Sequence, residues 1–299
     1  MDEVLDRVPL LCAGPRVVEE LPGGLTNRNY KVSVPGGAYV VRIPASEGEL
    51  LAIDRDNEHR NSVAAAEAGV GAPVHAYLRD LGVLVVGFIP GRTFCEDDLR
   101  DRGNLPRVAE ACRRLHAGPR FARDFDMFEV QRGYLEIVLN RNFRLPDGYR
   151  DFMPAAGHIR KVLAVRHEGT VPCNNDLLPG NFIDDGQRLW LIDYEYSGNN
   201  DACFELGNIW SESDLPLEHL AELVTAYYGR PLRHKIARAR LLGLMSKYGW
   251  TLWASIQDGA NQAIDFDFWS WGMEKYERAV AEFRGPELPR LLEDAIRAD

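Results

Sequence analysis

The chain has 299 residues, of which 45% are hydrophobic and 27% charged, with a formal net charge of −10 and a pI of about 5.3. Length and balance fit one large globular domain or two lobes and exclude a disordered chain. The acidic balance gives little hold on nucleic acid or anionic lipid, which both call for Lys/Arg counter-charge, and suits a cationic small molecule better. No apolar run approaches the roughly 20 residues of a membrane helix. The start, MDEVLDRVPL, lacks the basic and apolar parts of a secretory signal. The expectation is a cytoplasmic protein with no nucleic-acid or membrane partner. The five cysteines (Cys12, Cys95, Cys112, Cys173 and Cys203) form no CxxC pair, and their odd number points to free thiols.

Three strands are predicted at 16–21, 28–34 and 38–43, with Gly23-Gly24 in the first connection and Pro35-Gly36-Gly37 in the second. This is an antiparallel meander. Residues 54–68 have charged, alanine-rich helical character, with Asp54 as the cap and Gly69 and Gly71 at the end. Two further strands, 74–79 and 82–88, meet at Asp80-Leu81-Gly82. Pro90-Gly91 then breaks the pattern and marks a boundary between an N-terminal lobe, 1–90, and a C-terminal lobe, 91–299. Val108, Cys112 and Leu115 recur at helical spacing in 105–116, whereas 121–140 shows no clean period. Short strands are expected within 171–193, turning at Asp185-Gly186, and the chain from about 217 onward reads as mostly helical. The fold class is α+β: an antiparallel sheet lobe with one helix, then a larger, mostly helical lobe.

The chemistry concentrates in PCNNDLLPGNFI and LWLIDYEY. Asp176 is followed five residues later by Asn181, and Asp193 ends an apolar strand. Phosphoryl transfer needs a carboxylate to orient the attacking hydroxyl or take its proton, and oxygen ligands for Mg²⁺. The D-x-x-x-x-N spacing matches a protein-kinase catalytic loop. Singly, Asp176, Asn181 and Asp193 are ordinary turn and cap residues; the joint pattern is not. There is no serine nucleophile elbow and no Walker-type loop. His59, His75, His158, His167, His219 and His234 have no metal-ligand spacing.

These segments, NNDLLPGN with LIDYEYSG, resemble the choline/ethanolamine kinase family, relatives of the aminoglycoside phosphotransferases with a protein-kinase-like two-lobed fold. The resemblance follows nearly the whole chain in motif order. It implies Asp176 as the catalytic base, and Asn181 and Asp193 as Mg²⁺ ligands. The family has His-Asn-Asp where this chain has Asn174-Asn175-Asp176, which removes a histidine thought to support the loop. His116 resembles the family's Leu-His helix ending and is expected to be structural.

The same resemblance makes the turn LPGGLTN, with Gly23, Gly24, Thr26 and Asn27, the cover of the ATP phosphates. A glycine turn lets main-chain N–H groups approach phosphate oxygens. Arg42, on a strand, and Glu58, on the following helix, correspond to the kinase pair that steadies the phosphates, with Arg in the place of Lys. By position, Phe88 and Ile89 belong to a hinge whose backbone receives the adenine. Trp250 and Trp253 lie on one helix face, and Phe268 and Trp271 repeat the spacing. Aromatic faces attract cations. The resemblance makes Glu212, Trp250, Trp253, Phe268 and Trp271 a cage for an ammonium head, with Tyr196 and Tyr227 left open. The expected reaction is transfer of the ATP γ-phosphoryl group to the hydroxyl of choline or ethanolamine, with ATP and Mg²⁺ as cofactors. The alternatives are another small hydroxyl substrate (an aminoglycoside, thiamine, homoserine or a sugar) and a catalytically weak nucleotide-binding pseudokinase. The resemblance allows a homodimer.

Overall fold

The computed structural model describes residues 1–12, 14–44, 50–51, 53–260 and 264–298. Of the aromatic block at 247–276, residues 261–263 therefore lie outside the described residues. After α1 (Asp2–Leu5), the chain builds β1 (Val17–Leu21), β2 (Asn27–Val34), β3 (Gly37–Pro44), α2 (Arg55–Glu67), β4 (Val74–Leu78) and β5 (Val83–Gly87). The strands form one antiparallel sheet in the order β1-β2-β3-β5-β4. Alternation makes β2: Tyr30 and Val32 point into the core, while Lys31 and Ser33 are half-buried between and beside them. Val34 pairs with Gly37, so Pro35 and Gly36 alone turn the hairpin. Tyr30, Val32, Val41, Val83 and Val85 form a small core closed by Leu5, Val8 and Leu11 of the N-terminal segment.

The expected helix is α2. The Asp54 carboxylate accepts the Asn57 N–H at 3.1 Å, as a helix cap should. Its buried face is mostly polar, Asn57, Glu58, Asn61 and Ser62, with only Ala65 joining the large core. The Nδ2 groups of Asn57 and Asn61 both donate to the Ser197 carbonyl at 3.1 Å. This helix is attached to the rest of the molecule by hydrogen bonds more than by an apolar stripe.

The remainder holds β6 (Arg92–Thr93), α3 (Glu96–Arg100), α4 (Leu105–His116), α5 (Met127–Asn140), α6 (Met153–Val165), β7 (Val171–Cys173), β8 (Phe182–Asp184), β9 (Leu189–Leu191), β10 (Gly198–Asn200), α7 (Ala202–Glu212), α8 (Leu217–Tyr228), α9 (Arg233–Ala260), α10 (Phe268–Arg284) and α11 (Leu288–Ile296). Short strands pair as β6-β8-β9 and β7-β10. The long helix α9 packs against α5, α7, α10 and α11 and is the axis of the large core. A Cβ on Gly207 of α7 would sit 2.1 Å from the Ala239 carbonyl oxygen, so α7 and α9 meet backbone to backbone. Sequence periodicity does not reveal α7, because Cys203 to Ser211 are all buried, polar Glu205, Asn208 and Ser211 included, and leave no exposed face to alternate with a core face. No described helix is long and apolar enough to cross a membrane.

Candidate active site

Strand β7 delivers the loop 174–181, and α7 holds that loop in place. Both Glu205 carboxylate oxygens accept main-chain N–H groups, from Asn174 at 2.8 Å and Asn175 at 2.7 Å. One helical turn on, Asn208 Oδ1 accepts the Leu177 N–H at 2.8 Å. Asn175 adopts a φ of 69°, a left-handed conformation that asparagine tolerates. Behind the loop, ligand-type atoms of His116, Cys173 and Glu205 lie within 4.8 Å of one another. Glu205 is fully engaged by the loop, and His116 Nδ1 meets the Tyr227 hydroxyl at 2.7 Å. The group is a buried hydrogen-bonded support rather than an open ligand set, which fits the structural part expected of His116.

Asn174 occupies the irregular position. Its Nδ2 donates to the carbonyls of Ile192 at 3.0 Å and Asp193 at 2.8 Å, and its Oδ1 accepts the Asp176 N–H at 3.1 Å. One asparagine therefore ties Asp176 to the segment bearing Asp193. Asn181 Nδ2 donates to the Asp176 carbonyl at 2.7 Å, which leaves its Oδ1 as the oxygen available to a cation. The Asp176 carboxyl is surrounded by protein but opens on the cavity. Burial, then the charges of Glu212, Asp193 and Glu195, raise its pKa well above the usual carboxylate range, with Lys275 opposing.

Asp193, at a φ of 63°, presents its carboxylate to Arg42 at 2.7 Å. Arg42 also reaches Glu58 at 3.1 Å, so the expected strand–helix pair is formed. Arg55 links Glu58 at 2.7 Å to Glu195 at 3.3 Å. Glu195 accepts the Thr26 hydroxyl at 2.6 Å and Asn27 Nδ2 at 2.9 Å. The side chains of Thr26 and Asn27 thus hold the glycine turn down onto Glu195 instead of reaching for a phosphate. Glu195 was not foreseen, although a second carboxylate two residues after Asp193 was a readable signal. A Cβ on Gly24 would lie 1.9 Å from the Asn27 carbonyl oxygen, so only glycine fits the turn.

One cavity of about 640 Å³ is lined by Gly23, Gly24, Thr26, Asn27, Arg42, Phe88, Ile89, Asp176, Asn181, Asp193, Glu195, Tyr196, Glu212, Trp250, Trp253 and Trp271, among others. Two expected residues stand outside it. Glu58 is buried behind Arg42. Phe268 is buried with its ring edge-on to Trp253 at 5.7 Å, and so backs the wall instead of forming it. At the expected hinge, the Phe88 N–H is engaged by the Ala38 carbonyl at 3.0 Å and is not free to meet a base. Tyr196, left open above, lines the cavity: its hydroxyl accepts Trp253 Nε1 at 2.7 Å and its ring meets Trp250 at 5.0 Å. Tyr227 is with His116 instead. Glu212 Oε2 binds Lys275 Nζ at 2.6 Å, a pairing that the sequence did not suggest. The oxygens of Asn181 and Asp193 are the hard donors that Mg²⁺ prefers.

A glycine turn, a buried Arg–Glu pair and an Asp/Asn loop around a single cavity define a phosphotransferase. Residues 18–221 match the family model for choline/ethanolamine kinase. The crystal structure of a choline/ethanolamine kinase family protein from Mesorhizobium loti superposes with a TM-score of 0.85 at 32% identity, covering 99% of this chain and 98% of that one. Protein LicA of Haemophilus influenzae is 28% identical over 250 residues, 79% of this chain and 72% of its own length. A thiamine kinase of Shigella boydii is 27% identical over 255 residues, 81% and 84% of the two chains. The chain belongs to the choline/ethanolamine kinase family and has the protein-kinase-like two-lobed fold. It is an ATP-dependent kinase of small alcohols.

Proposed function

We propose that this kinase phosphorylates the hydroxyl of a small amino alcohol of the choline/ethanolamine type. The observation that carries this reading is the sharing of one cavity by Asp176, Asn181 and Asp193 with Glu212, Trp250, Trp253 and Trp271. An alcohol held at the aromatic and carboxylate wall can thus present its hydroxyl to Asp176. Asp176 takes the hydroxyl proton as the oxygen attacks the γ-phosphorus, and the bond from phosphorus to the β–γ bridging oxygen breaks to release ADP. A raised pKa makes Asp176 a stronger base once it is ionised. Arg42, steadied by Glu58, balances phosphate charge, and the Gly23-Gly24 turn covers the phosphates. Asn181 and Asp193 would hold Mg²⁺, which neutralises charge on the phosphate oxygens when bound. Asn174 argues against a pseudokinase, because it keeps Asp176 tied to Asp193. The N-terminal lobe, 1–90, is read as the nucleotide side and 91–299 as the catalytic and acceptor side.

The test is ADP release with ethanolamine, choline, thiamine, homoserine, a sugar and an aminoglycoside, each with and without Mg²⁺. Amino alcohols should give the highest Mg²⁺-dependent rates. Asp176→Asn should lower kcat by roughly 10²–10⁴-fold while Mg-ATP still binds. Turnover confined to the sugar or aminoglycoside, or full activity in Asp176→Asn, overturns the reading.

A further inference from the structure

Lys275 does not line the cavity, yet it touches both kinds of group expected to hold the acceptor's head. It lies on α10 one turn after Trp271. Its ammonium is 2.6 Å from Glu212 Oε2 and 4.1 Å from the centre of the Trp271 ring. The Lys275 and Glu212 side chains are only 8% and 4% exposed. The protein therefore carries its own cation at the carboxylate and the ring that a substrate cation would use.

Two consequences follow from elementary electrostatics. The Glu212–Lys275 pair is neutral, so a substrate cation gains little net attraction from it. A second cation at the Trp271 ring competes for the same π-electrons and meets repulsion from Lys275 across a poorly solvated space. A head group that relies on charge and ring faces alone, such as trimethylammonium, loses most from this arrangement. The second consequence comes from the other carboxylate oxygen. Glu212 Oε1 is buried and has no hydrogen-bond partner among the described residues, although Glu212 lines the cavity. A buried acceptor without a partner strongly favours a ligand that brings a donor. A primary ammonium has N–H groups to offer, and a trimethylammonium has none.

Resting on the amino-alcohol reading above, we propose that Lys275 sets the choice of head group. It fixes Glu212 through Oε2 so that Oε1 receives an N–H from a primary ammonium, and it denies a trimethylammonium the charge and the ring face. Lys275 is thus a positioning and specificity residue, and the preferred acceptor class is a primary amino alcohol.

The experiment compares kcat/KM for ethanolamine and choline at saturating Mg-ATP in the wild type, Lys275→Met and Lys275→Arg. The wild type should prefer ethanolamine by at least about tenfold. Lys275→Met should shrink that ratio by about tenfold or more, mainly through a lower KM for choline. Lys275→Arg, which keeps a cation on Glu212, should retain most of it. A purely structural ion pair between α7 and α10 would change both substrates alike and leave the ratio unmoved. If Lys275→Met fails to fold because Glu212 is left buried without a partner, the double variant Glu212→Gln/Lys275→Met takes its place and should lose the preference. Binding of ethylammonium and tetramethylammonium, followed by tryptophan fluorescence without ATP, separates this inference from the amino-alcohol reading. If neither alcohol is phosphorylated, that reading fails, and the binding ratio still decides the role of Lys275. A wild-type preference for choline or tetramethylammonium, or a ratio unchanged in Lys275→Met, overturns the proposal.

Discussion

Glu195 is a buried carboxylate with three donors on it, from Thr26, Asn27 and Arg55. Burial and the charges of Asp193 and Glu58 nevertheless outweigh Arg42 and the Thr26 hydroxyl, and its pKa is pushed up to about 7 from 4.5. A folded-state pKa above the unfolded value means that the folded protein binds the proton more tightly. The stabilisation is complete below pH 4.5 and is lost as pH rises through about 7. Its size is on the order of 3 kcal/mol. Glu195→Gln mimics the protonated form and removes this dependence. The Tm of the variant relative to the wild type should therefore rise between pH 5 and pH 8, as read by thermal unfolding at each pH. A difference that stays flat, or falls, contradicts the assignment. The residues of the catalytic segment were legible because their spacing is local: Asp176, Asn181 and Asp193 fall within one stretch of chain. Lys275 and Glu212 are 63 residues apart, and nothing in either local sequence hints that they meet.

Among the elements, α7 does most to organise the site. Glu205, Asn208 and Glu212 follow at intervals that keep them on one helical face. The first two hold the 174–181 loop by its main-chain N–H groups, and the third lines the cavity. The depth at which α7 sits is set by Gly207 against Ala239 and Gly243 of α9. Gly207→Ala would force a methyl group into a backbone oxygen that cannot turn aside. We expect a loss of stability of about 1–3 kcal/mol, measured by chemical denaturation, with a fall in kcat as the loop shifts. Unchanged stability would mean that the helices separate freely, and would weaken the view of α7 as a fixed support. The strands of the first sheet were readable from alternation and turn glycines. The helices α5, α6 and α7 were not. α7 is buried nearly all round, and the α5 face toward the core carries Gln131 and Tyr134 beside its aliphatic residues, which blurs any apolar period.

At the scale of the molecule, the N-terminal part and the helical body meet through a few apolar residues, Leu51, Ala65 and Val70 among them, and through a set of polar contacts at and beside the cavity. Arg42 reaches Asp193, Thr26 and Asn27 reach Glu195, and Asn57 and Asn61 reach Ser197. The sheet has its own small core. A ligand that fills the cavity should therefore stabilise both parts together. At a concentration 100 times its Kd, Mg-ATP should add about 2.7 kcal/mol, or a rise in Tm of roughly 4 °C. Asp193→Asn should remove the Mg²⁺-dependent share of that rise. An equal shift with the metal chelated would argue against Asp193 as a metal ligand.

The double duty of α7 also bears on how such an enzyme can change its substrate over generations. On the roles proposed for the 174–181 loop and Glu212, substitutions on this helix would disturb the transfer step and the choice of alcohol at once, so most would be rejected before any new preference could be tried. α10 reaches the same end of the cavity through Trp271, with Lys275 behind it, and does not grip the 174–181 loop. Drift toward new acceptors, natural or engineered, should therefore accumulate on α10 while α7 stays nearly fixed.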